Sequence, residues 1–160
     1  MEAGKGAADA VQRKIDALIE KAAKALILEI NRELRKRGTG TPVDTGHARA
    51  NWIPSVGQPN TTEAPGTSSA EAQAGAAVVA SFKLGQGKLY IANVVPYIRR
   101  LNEGHSTQAP PLFVESCVIR AMATIKAKLG VDFGIAAATS EVGSAGAENM
   151  ASAYSPFGDD

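Results

Sequence analysis

Two histidines, His47 and His105, and the polar residues near them are the first candidates for chemistry in this chain. Glu103, His105 and Ser106 offer an acid, a base and a hydroxyl, the parts of a nucleophilic triad. Their adjacency argues against that role, because nucleophile, base and orienting group must converge from separate elements. His47, His105, Asp44 and Glu103 supply ligand types for a divalent metal. Two histidines without a supporting spacing do not define such a site. These residues therefore point to no catalytic centre, no cofactor and no metal. His105 reads better as a residue that caps or lines the turn after Gly104.

Phosphate contact is the second chemistry to weigh. Arg35, Lys36 and Arg37 form one cluster, and Arg99 and Arg100 a second. No zinc-finger spacing, aromatic stacking pair or helix-turn-helix pattern accompanies them. The five residues are candidates only for weak, sequence-independent contact with DNA, and solvated charge is the competing reading.

The elements that must position these groups follow from periodicity. Val11, Ile15, Leu18, Ala22, Leu26, Ile30 and Leu34 recur at steps of three and four, which predicts one amphipathic helix over residues 8–37. Arg35-Lys36-Arg37 would fill its last turn, and Gly38 would stop it. Asp44 or Thr45 is placed to cap a short helix over 46–51, anchored by Trp52 and Ile53 and ended by Pro54. Residues 54–69, with three prolines and many hydroxyls, read as a loop. Ser68 or Ser69 begins an Ala-rich helix over 70–82, for which a strand over 76–82 is the alternative. Residues 88–95 alternate and are the best strand candidate. Pro96 starts a short helix that Gly104 ends. Pro110-Pro111 opens a last helix over 112–129, with Val114, Val118, Met122, Ile125 and Leu129 as its stripe and Gly130 as its stop.

Composition sets the scale. The chain has 160 residues, 44% of them hydrophobic but only 5% aromatic. Alanine buries little area, so the core is expected to be thin and an oligomer is favoured. The net charge of +1 hides a layout of +3 over 1–38, +3 over 39–129 and −5 over 130–160. The tail carries Asp132, Glu141, Glu148, Asp159 and Asp160 and no base, with Phe133, Ile135, Tyr154 and Phe157 scattered along it. Such a segment orders only against something else. Cys117 is the single cysteine, so no internal disulfide forms, and its place in the last helix suggests a small buried residue. Neither a membrane span nor a signal peptide is legible, which implies a soluble protein made in the cytoplasm.

Two blocks carry a resemblance. The first is Thr41-Pro42-Val43-Asp44-Thr45-Gly46, followed by Arg49, Ala50 and Trp52. The second has Tyr90-Ile91, Asn93, Pro96-Tyr97, Leu101, Glu103-Gly104, Ser106 and Gln108-Ala109-Pro110. In order and spacing they resemble the neck or tail-completion proteins of long-tailed bacteriophages, over residues 10–129. His47 and Pro111 depart from the usual pattern. The resemblance implies an α+β domain over 1–129, with a small antiparallel sheet flanked by the long N-terminal and the C-terminal helix, and an extended tail over 130–160. It implies a non-enzymatic homo-oligomeric ring, a hexamer, at the head–tail junction of the virion. Its partners would be the head connector or stopper protein and the tail tube or terminator protein, with no membrane. Genome DNA would pass non-specifically through the lumen beside the basic clusters. A tail terminator ring, or a non-specific nucleic-acid-binding protein, is the alternative.

Overall fold

The computed structural model describes residues 2–134. Among these the order is α1 (Glu2–Leu34), α2 (His47–Ala50), β1 (Ile53–Val56), α3 (Ala70–Ala80), β2 (Leu89–Ala92), α4 (Ile98–Asn102) and α5 (Phe113–Leu129). β1 and β2 pair antiparallel, with Ile53 opposite Ala92 and Val56 opposite Leu89. The fold is α+β, a two-stranded sheet among helices, as expected. Residues 135–160, the greater part of the acidic tail, lie outside the described residues. Asp132, at the tail's start, pairs with Lys126 of α5 at 2.6 Å.

The core is built where α1, α2, α4 and α5 meet. Leu34, Ile98 and Phe113 are fully buried there, beside Trp52, Val95 and Cys117. Each large side chain so buried contributes roughly 1.5–3 kcal/mol. Of the two long helices, α1 meets both strands of the sheet, whereas α5 lies chiefly along α1; α3 covers β1. Gly75 permits that second contact, because a Cβ there would run into the Pro54 carbonyl oxygen.

Four expectations need correction. The region from Pro54 onward is not all loop: Ile53-Pro54-Ser55-Val56 is a strand. Proline lacks an N–H to share, and both strands of a two-stranded sheet are edges, where that is tolerated. Helix α1 ends at Leu34, so Arg35, Lys36 and Arg37 lie in the turn beyond it rather than in its last turn. The buried face of α5 is Phe113, Val114, Cys117, Ala121 and Ile125, with Val118, Met122 and Leu129 only at its edge. Counting large residues alone shifted that stripe, because the small residues Cys117 and Ala121 are fully buried. The N-terminal half of the α1 stripe has no cover, with Val11 57%, Ile15 46%, Leu18 46% and Ile19 49% exposed. No helix among the described residues is long and apolar enough to cross a membrane.

Candidate functional site

The two sequence blocks meet in space, and the side chains that join them are spent on backbone. After α1, Thr41 turns back so that its N–H and its hydroxyl both donate to the Leu34 carbonyl, at 2.8 and 2.7 Å. Trp52 Nε1 donates to the same hydroxyl at 2.7 Å. Asn93 Oδ1 accepts from Val95 N–H at 3.2 Å, and its Nδ2 crosses to the Ala48 carbonyl at 2.7 Å. Gln108 Oε1 accepts from Val43 N–H at 3.0 Å. Block one is thus clasped to block two by Asn93 and Gln108. Pro42 is half-buried at this joint, whereas Pro96, Tyr97 and Pro110 are exposed.

The turn residues act as expected in part. Gly46 (φ 96°) begins α2, and Gly104 (φ 95°) ends the α4 turn in the left-handed region. A Cβ at Gly104 would also strike the Pro111 ring. Thr45 Oγ1 accepts from His47 N–H at 3.3 Å, whereas Asp44 makes no such bond. Asn102 holds the entry to α5, accepting from Val114 N–H at 2.9 Å with its side chain and from Leu112 N–H at 2.7 Å with its carbonyl. Sequence reasoning missed Asn102, because an asparagine eleven residues before a helix start carries no spacing signal.

The residues considered for catalysis are kept apart. Glu103 pairs with Arg99 at 2.9 Å, His105 Nδ1 takes the Arg100 carbonyl at 3.1 Å, and Ser106 Oγ accepts from Gln108 N–H at 3.1 Å. His47 has other company. Its Nδ1 bonds the Gly66 carbonyl and its Nε2 meets Glu63 at 2.6 Å. Asn51 adds a pair of bonds to Ala64, at 3.2 and 2.7 Å. Together His47 and Asn51 strap the loop between β1 and α3 onto α2. The Gly66 carbonyl, and then Glu63, raise the His47 pKa above its ordinary value. Nothing in a sixteen-residue gap across Pro and Thr announces the His47–Glu63 pair. Among the described residues no cluster of three His, Cys, Asp or Glu could hold a metal.

The five candidate DNA-facing residues divide. Arg99 is paired with Glu103, and Lys36 lies 3.6 Å from Glu33. Arg37 and Arg100 are exposed. Arg35 is half-buried and lines two adjoining cavities, neither of which includes Arg99 or Arg100. The residue that joins Arg35 in both is Arg49. Burial, and secondarily the like charge of Arg49, pull the Arg35 guanidinium below its ordinary pKa. The side of α1's end that meets α5 carries an ion-pair network instead. Glu33, 3% exposed, takes Arg120 Nε at 2.8 Å and Arg32 at 3.0 Å. Arg120 also reaches the Thr39 carbonyl at 2.8 Å. Burial pushes the Cys117 thiol beneath it up to about 11.

No family model, curated protein or solved structure matches the chain.

Proposed function

We infer that the chain is a non-enzymatic ring subunit of the head–tail junction of a long-tailed bacteriophage. The resemblance of the two blocks to neck and tail-completion proteins motivates this reading. The observation that supports it most is the uncovered half of α1. Four large apolar residues, Val11, Ile15, Leu18 and Ile19, lie exposed on one helix whose later turns form the core. Scattered apolar residues are ordinary on a surface, but a run continuous with the core stripe suits contact with another subunit. The blocks themselves serve to hold backbone in place, a scaffold's use of polar side chains rather than an enzyme's. Native mass spectrometry and electron microscopy of the purified protein test the ring. Because neck proteins can stay monomeric until they dock, location in an intact particle by cryo-microscopy decides it. Absence of the protein from purified particles would overturn the reading.

A further inference from the structure

We propose that the Arg35–Arg49 cavity is a binding site for a phosphate-type oxyanion. The cavity, about 200 Å³, opens between the turn after α1, the start of α2 and the start of α3. Arg35 and Arg49 enter it with the hydroxyls of Thr45, Thr67 and Ser69. Neither guanidinium has a hydrogen bond or ion pair with a described side chain. No carboxylate is among the residues that line the cavity or the adjoining one of about 540 Å³, whose lining adds Arg32 and Lys36; Glu29 and Glu33 beside it are engaged with Arg32 and Arg120. Arg32, Arg99 and Arg120 pair closely with Glu29, Glu103 and Glu33, and the other described arginines without an ion pair, Arg13, Arg37 and Arg100, stand exposed on the surface rather than in a cavity. Two like charges held together, both half-buried, cost free energy that a bound anion would recover.

The donor count selects the ligand. Thr45 Oγ1 accepts from His47 N–H and Ser69 Oγ accepts from the Gln73 side chain, so each hydroxyl proton is left to donate. Two guanidinium forks and three hydroxyls exceed what the two oxygens of a carboxylate absorb. A phosphate group presents three or four oxygens and matches bidentate arginine geometry. The volume equals roughly seven waters, enough for one phosphate and its closest waters.

The site does not depend on the ring reading, and a protein that never assembles should still bind. The test uses the full chain and inorganic phosphate, at ionic strength held constant with chloride, read by thermal unfolding and by ³¹P line width. Phosphate should raise the melting temperature saturably, and acetate should not. Arg49→Gln and Arg35→Gln should each weaken phosphate binding about tenfold or more, while Arg37→Gln, on exposed surface, should not. If Arg35→Gln fails to fold by circular dichroism, Arg49→Lys, which keeps the charge and loses the fork, carries the test and should also weaken binding. An equal response to acetate, or a wild-type response from the Arg49 variants, would overturn the proposal. A short DNA duplex separates the sources. Displacement of phosphate from the wild type by the duplex, with direct duplex binding weakened by Arg49→Gln, assigns the site to a nucleic-acid backbone, and no displacement assigns it to free phosphate.

Discussion

The Trp52 indole donates its Nε1–H to the Thr41 hydroxyl at 2.7 Å, and that hydroxyl passes its own proton to the Leu34 carbonyl at 2.7 Å. This relay satisfies a carbonyl at the end of α1, where helices leave acceptors unpaired. It also ties the only tryptophan to the turn that leaves the helix. All three residues are buried. Thr41→Val keeps the shape and removes the oxygen, stranding the indole N–H. The variant should lose about 2–3 kcal/mol in urea unfolding followed by Trp52 fluorescence. Thr41→Ser, which keeps the oxygen, should lose clearly less, and equal losses would count against the relay.

The relay also illustrates what was legible from residues alone. Spacing marked α1 and α5, a serine cap and alanine-rich composition marked α3 with a strand as the alternative, and alternation over 88–95 marked β2. β1 was hidden, since Pro54 reads as a breaker and the residues after it as a loop. The two blocks were visible as punctuation, but their partners were not. Asn93 reaching Ala48 and Gln108 reaching Val43 are contacts across 45 and 65 residues, which no local rule supplies. The same blindness hid the strap on His47. Arg35 was found as part of a charge run, yet Arg49 arrives in its cavity only because the turn after α1 brings α2 back beside the helix end.

The buried carboxylate of Glu33 should govern part of the acid limb. Its bond with Arg120, against the opposing effect of burial, holds its pKa below the ordinary value. A depressed carboxylate contributes stability above its unfolded pKa of about 4.3, lost as pH falls through the folded value. Glu33→Gln should therefore flatten the decline of the urea midpoint below about pH 5. Arg120→Ala should destabilise at neutral pH by leaving Glu33 buried with weaker compensation. An acid limb in Glu33→Gln identical to wild type would reassign it to other carboxylates.

The strap on His47 should respond with the opposite sign. A raised histidine pKa contributes stability that is fully present below the unfolded value of about 6.5 and lost as pH rises through the folded value. The loop between β1 and α3 should be better protected from hydrogen exchange at pH 6 than at pH 9, beyond the intrinsic rate change. His47→Gln should remove that difference. A loop whose protection factor ignores both pH and the substitution would show that the clamp is not holding it.

Cys117 should be unreactive in the native protein. It is fully buried between Thr39 and Arg120, and its thiol is pushed up to about 11. The thiolate is the reactive species, so labelling by a disulfide reagent at pH 8 should follow opening of the α1–α5 contact rather than the chemistry of an exposed thiol. The labelling rate should rise with sub-denaturing urea. Prompt modification in buffer would mean that the helices do not pack as described.

The two halves of α1 should separate stability from assembly. Ile30 is 7% exposed and belongs to the core, whereas Ile15 is 46% exposed on the uncovered half. Ile30→Asp buries an unpaired charge and should cost about 3 kcal/mol or more. Ile15→Asp places the same charge in water, so urea unfolding should move by no more than about 0.5 kcal/mol. In an assembled ring that charge would fall in the contact, and Ile15→Asp should reduce oligomer in native mass spectrometry and incorporation into particles. A stable Ile15→Asp protein that assembles like wild type would show that the exposed stripe is plain surface, and would remove the main support for the ring.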